Sequence, residues 1–162
     1  MTQTSTESTG ISLCLQEEIA AMNSLAALLK KEQSALVDGD IASLNQHLLN
    51  KGILVSQIAE LEKKRNACLL ALGYTSDAEG MLNYLQNSSD ITETIEAWNQ
   101  LMSISEQAKE NNRTNGMLIN RRLSINQAAL GALQESNQAP SLYGPTGHST
   151  IKSSPNKGVV VR

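Results

Sequence analysis

Phenylalanine is missing from this 162-residue chain, and one Trp and three Tyr are the only other aromatics. The core must therefore come from Leu, Ile, Ala, Met and Val, which suit narrow seams between helices better than a β-sandwich or a deep cofactor pocket. So few rings also leave few platforms on which bases could stack. A net charge of -3 and a pI near 5.4 give no attraction toward a phosphate backbone. Nucleic acid is not an expected partner.

Cysteine and histidine are nearly as scarce. Cys14 and Cys68 are too few and too far apart along the chain for a disulfide framework or a zinc site, and both read as small hydrophobes. Neither His47 nor His148 sits in a Glu-x-x-His or His-x-x-x-His arrangement, so no bundle metal site is expected. A Gly-x-x-x-x-Gly-Lys-Ser/Thr loop and a Gly-x-Ser-x-Gly elbow are both missing, with no strand pattern to carry either. The expectation is a non-enzyme without cofactor. No apolar run approaches the roughly 18 residues a membrane span needs. The opening ten residues, rich in Ser and Thr with Glu7 and no Lys or Arg, do not resemble a secretory signal. A cytoplasmic location without membrane insertion follows.

What the chain has is helical periodicity, and with 40% hydrophobic residues it can bury a moderate core. An all-α fold is predicted, with a disordered start over 1–10, a helical domain over 11–135 and an extended or disordered tail over 136–162, where Pro140, Pro145 and Pro155 exclude a helix. The first helix carries Leu15, Ile19, Met22, Ala26, Leu29 and Leu36 on one face, broadened by Leu25 and Leu28, until Asp38-Gly39 ends it. Asp40 then caps a second helix whose stripe reads Ile41, Leu44, Leu48, Val55, Ile58, Leu69 and Leu72. The short connection makes the two an antiparallel hairpin. Ser76 with Glu79, and Asp90 with Glu93, read as capping boxes for a short third helix and a long fourth one.

The fourth helix gives the strongest signal. Steps of four and three residues from Ile91 meet Ile95, Trp98 and Met102, then Ser105, Lys109, Asn112 and Gly116, then Ile119, Leu123, Leu130 and Leu133. This apolar stripe has a polar middle and resumes in register. A turn at Asn115-Gly116 would not oblige Ile119 to keep the phase of Trp98, so one continuous helix over 91–133 is predicted, roughly 64 Å long. Asn-Gly inside a helix costs roughly 1 kcal/mol against alanine, and close approach by another backbone is one compensation.

Charged positions read mainly as structural. Lys63-Lys64-Arg65 and Arg121-Arg122 are solvated faces or helix-end partners, but Arg65 falls on the second helix's stripe, where its stem can pack while the guanidinium pairs with a carboxylate. His47, with Lys51 and Gly52 after it, is similar to the exposed histidine of phosphotransfer domains. There, however, Lys and Gly follow at three and four residues; here they follow at four and five, about 100° further round the helix. A helix-face histidine is the plainer reading.

Leu36 with Asp40, Lys51, Arg65, Leu72-Gly73, Ala97-Trp98, Asn112, Asn115-Gly116 and finally Leu142-Tyr143-Gly144-Pro145-Thr146-Gly147 together resemble the FlgN family of flagellar export chaperones. The specific signals are the ordered Asn-x-x-Asn-Gly and Tyr-Gly-Pro-x-Gly segments. The resemblance implies a cytoplasmic helical protein that holds the hook-filament junction proteins FlgK and FlgL and delivers them to the flagellar type III export apparatus, using no nucleotide or metal. It further implies that Met117, Ile119, Leu123, Leu130 and Leu133 engage a client helix, and that Leu142, Tyr143 and Gly144 contact the cytoplasmic domain of the export gate. An apolar seam at Ile119 to Leu133 is compatible with a partner helix. The competing reading is a structural helical adaptor whose purpose is self-association, so a homo-oligomer remains open.

Overall fold

The computed structural model describes residues 3–89 and 91–137, and all the regular structure among them is helical. Three long helices and one short one are present: α1 (Gln3–Asp38), α2 (Ile41–Ala71), α3 (Ala78–Asn87) and α4 (Thr92–Asn137). The 46 residues of α4 make it the longest, and it passes through Asn115-Gly116 unbroken. The opening is a correction, because α1 starts at Gln3 where composition suggested disorder up to residue 10. Extending a formed helix adds one hydrogen bond per residue fixed, so polar residues without proline can continue it. The proline-bearing tail lies outside the described residues.

Two compact units divide the chain, residues 1–121 and 122–162. The first contains the hairpin. Gly39, with φ at 77°, takes the left-handed conformation that closes α1, and its N–H donates to Ala35 O at 2.9 Å. Asp40 caps α2 as expected, accepting from Ser43 N at 3.0 Å. Gly73, with φ at 85°, follows the far end of α2. The α3 cap corrects the sequence reading: Asp77, not Ser76, accepts from Gly80 N at 2.7 Å, and Thr75 Oγ1 donates to the same carboxylate. A Cβ at Gly80 would lie 1.9 Å from Thr75 O, so only glycine fits that turn. Asp90, expected to cap α4, lies outside the described residues.

Residues Ile11, Leu15, Glu18, Leu25, Leu29, Glu32 and Leu36 form the buried face of α1, a heptad phase in which Ile19 and Ala26 sit half-buried at the side. The antiparallel register with α2 is marked by two ion pairs, Glu18 with Arg65 and Glu32 with Lys51, separated by two heptads on both helices. One end of the bundle gathers Ile11 and Leu15 from α1, Leu69 from α2, Met81 and Tyr84 from α3, and Trp98 and Leu101 from α4. Further along, Leu25 and Leu29 pack on Ala108. Contacts near the starts of α1 and α4, followed by contacts further along both, mean that α4 runs parallel to α1.

Two predicted stripes are displaced. On α4 the buried seam is Thr94, Trp98, Leu101, Ala108 and Asn115, with Ile91 buried just before the helix, whereas Ile95 and Met102 are exposed. The heptad facing α1 uses small or polar residues at Thr94, Ala108 and Asn115, and stronger hydrophobes lie one residue aside. On α2, Ile41, Leu48 and Val55 were expected in the core and are all at least half exposed.

Candidate functional site

Inside the first unit the polar residues form two pins. Arg65 is buried as predicted, with Nε donating to Glu18 Oε1 at 2.8 Å and the guanidinium carbon 5.1 Å from the Trp98 ring centroid. Burial pushes the Glu18 carboxyl above its ordinary range, while the charge and hydrogen bond of Arg65 pull it back. In the second pin, buried Glu32 receives Lys51 Nζ at 3.2 Å and Asn115 Nδ2 at 2.9 Å. Asn115 Nδ2 also donates to the Leu29 carbonyl at 2.9 Å. Asn115 thus ties α4 to α1, whereas a Cβ at Gly116 would meet nothing within 4 Å. Among the described residues no backbone makes the close approach to Gly116 that was one candidate compensation, and the Asn-Gly signal belongs to its asparagine. Asn112 is exposed.

Cys14 and Cys68, distant in sequence, meet across α1 and α2. Burial, with the neighbouring Cys68, pushes the Cys14 thiol up to about 11, which keeps it protonated at neutral pH and fits a small hydrophobe.

The residues assigned to client binding fall in both units. Met117 and Ile119 belong to the first, Leu123, Leu130 and Leu133 to the second, and all five are between 42% and 62% exposed. Arg113, which chelates Glu110 at 2.9 and 2.7 Å, also reaches the Met117 sulfur at 3.4 Å. Leu142, Tyr143 and Gly144 lie outside the described residues. Sequence reasoning missed Glu18 and Glu32 as core residues, although two acids exactly in phase with the leucines were the available signal. It also missed the exposed face of α2, which carries Leu49 and Ile53 beside Ile41, Leu48 and Val55.

These features define an all-helical bundle with polar pins inside and apolar helix faces left outside. The chain belongs to the FlgN protein family, whose model matches residues 8–150. Flagella synthesis protein FlgN of Proteus mirabilis is 26% identical over 137 residues, covering 82% of this chain and 85% of that protein. Its counterpart in Escherichia coli K12 is 26% identical over 136 residues, covering 84% and 87%. The fold also matches the 1.48 Å crystal structure of a candidate flagella synthesis protein FlgN from Pseudomonas aeruginosa, with a TM-score of 0.59 and 28% identity over 74% of this chain and 89% of that one.

Proposed function

We propose that this protein serves flagellum assembly as a cytoplasmic export chaperone, binding the hook-filament junction proteins FlgK and FlgL and handing them to the cytoplasmic domain of the type III export gate. The observation that carries the reading is the exposure of Leu123, Leu130 and Leu133 within the second unit. Burying a leucine side chain contributes about 1.5–3 kcal/mol, so several of them covered by a client's amphipathic helix supply the driving force for a complex. Family membership supports the flagellar setting. Among the described residues no helix is long and apolar enough to cross a membrane, and no group of three or more His, Cys, Asp or Glu side chains could hold a metal ion.

Mixing the purified chain with FlgK or FlgL on a size-exclusion column tests the proposal. A chaperone co-elutes with each junction protein in a defined complex; a self-associating adaptor elutes unchanged beside them. The gate-binding role falls on Tyr143, an aromatic among Ser, Gly, Pro and Asn. A tyrosine anchor contributes about 2 kcal/mol or more to a partner interface. Tyr143→Ala is expected to leave thermal stability and junction-protein binding unchanged while losing gate binding and lowering secretion. Secretion and gate binding at the wild-type level would remove the tail from the mechanism.

A further inference from the structure

Asn115-Gly116 is the one Asn-Gly pair in the chain, and no packing demands its glycine. Among the described residues a Cβ at Gly116 would meet nothing within 4 Å, although glycine is a poor residue inside a helix. The missing side chain matters for chemistry instead. When glycine follows asparagine, no Cβ shields the glycine backbone nitrogen from the asparagine side-chain carbonyl. Those two groups close a five-membered ring wherever the main chain is free to bend.

The folded chain holds the reacting groups apart. Because α4 runs unbroken through the pair, the Gly116 N–H is committed to the helical ladder, and the main chain at Asn115 stays in a range from which the ring does not close. Asn115 Nδ2, the nitrogen that would have to leave, donates to Leu29 O and to Glu32 Oε2, each at 2.9 Å. The residue is 1% exposed, which keeps water away. Its Oδ1 has no hydrogen-bond partner among the described residues, so no donor polarises the carbonyl to be attacked.

We propose that Asn115 is a guarded deamidation site: the seating of α4 on α1 keeps it inert, and local opening of α4 there exposes it to irreversible conversion. The co-reactant is water. The Gly116 nitrogen gives its proton to solvent and bonds to Asn115 Cγ; the Cγ–Nδ2 bond breaks, and Nδ2 leaves as ammonia. Water then opens the cyclic imide at either carbonyl. Opening at one gives aspartate, which sets a carboxylate against Glu32 in place of two N–H donors. Opening at the other gives isoaspartate, whose extra main-chain carbon interrupts the helical ladder. Neither product lets α4 regain its seat, so one opening event becomes permanent. The proposal uses none of the client-facing leucines and stands apart from the chaperone reading.

Ageing the full chain at mildly alkaline pH, in buffer and in concentrated urea, tests this. Trypsin releases residues 114–121 between Arg113 and Arg121, and fragment masses of that peptide separate conversion at Asn115 from conversion at Asn120. Conversion at Asn115 should be slower in buffer than in urea by about a hundredfold or more, because in buffer it waits on local opening. Glu32→Ala removes one acceptor of the seat; at a temperature where its melting curve shows it folded, it should convert about tenfold faster than wild type in buffer and equally fast in urea. Gly116→Ala should slow conversion in urea by about tenfold while keeping the helical spectrum, since the site has room for a methyl group. Wild type aged in urea and returned to buffer should melt below fresh protein, and Gly116→Ala aged alongside it should not. Equal wild-type rates in buffer and urea, a Glu32→Ala rate in buffer no faster than wild type, an undiminished rate in Gly116→Ala, or an aged wild type that melts like the fresh chain would each overturn the inference.

Discussion

Asn115 and Glu32 meet 2.9 Å apart at a point where both side chains are sealed from water, one on α4 and the other on α1. The same asparagine amide holds the Leu29 carbonyl, so both of its N–H donors are used. The donor side must face this way, since a reversed amide would set its oxygen against a carbonyl and a carboxylate. A buried polar contact of this kind fixes which residues of two helices lie opposite each other, a task that interchangeable leucines perform poorly.

Asn115→Ala should therefore destabilise by about 1–3 kcal/mol, because the bonds to Glu32 and Leu29 lose their donor in a buried place. Asn115→Asp is expected to cost more, since a second carboxylate would sit against Glu32 in a place sealed from water. Urea denaturation followed by circular dichroism measures both. Equal stability of Asn115→Asp and wild type would show that the contact is not sealed.

Arg65→Met leaves Glu18 buried without its counter-ion, and a loss of about 3–5 kcal/mol is expected. Adding Glu18→Gln removes the orphan charge and should recover much of that loss. The pair is then a device for register more than a source of net stability. A double-mutant cycle read by denaturation, with Trp98 fluorescence reporting the loss of the guanidinium over its ring, checks both statements.

Glu18 also gives a pH dependence with a definite sign. Its folded-state carboxyl is raised above the ordinary glutamate value of 4.5, chiefly by burial and against the pull of Arg65. The folded chain thus holds this proton more tightly than the unfolded chain. The group's contribution to stability is fully present below 4.5 and is lost as pH rises through the folded value. Wild type should gain stability relative to Glu18→Gln as pH is lowered from neutral toward 4.5. Melting curves of the two proteins across that range test it, and a constant difference would contradict it.

The helix inventory and several single residues were legible in the sequence for local reasons. Asp40 as a cap, Gly39 and Gly73 as stops, and Arg65 on the apolar phase of α2 each depend on a few neighbouring residues. The exact buried phase of α4 was not legible. Ile95 outranks Thr94 on hydrophobicity and Met102 is apolar beside Leu101, yet the face turned inward is set by what α1 offers opposite. The exposure of Ile41, Leu48 and Val55 was equally hidden, because a heptad stripe states that a helix wants a partner and not whether the partner lies in the same chain. Asn115-Gly116 was singled out for the wrong member of the pair, since a backbone rule for glycine drew attention from an asparagine with two buried acceptors.

The central claim is that the apolar side chains late in α4 are kept for a client. Titrating FlgK into the chain and into the Leu123→Asp, Leu130→Asp variant by calorimetry tests it most directly, with a thermal melt of each protein alongside. A carboxylate in a dry helix groove costs several kcal/mol, so the account predicts affinity lower by about a hundredfold or more at an unchanged melting temperature. Undiminished FlgK binding, or cooperative unfolding of the variant at a much lower temperature, would contradict it.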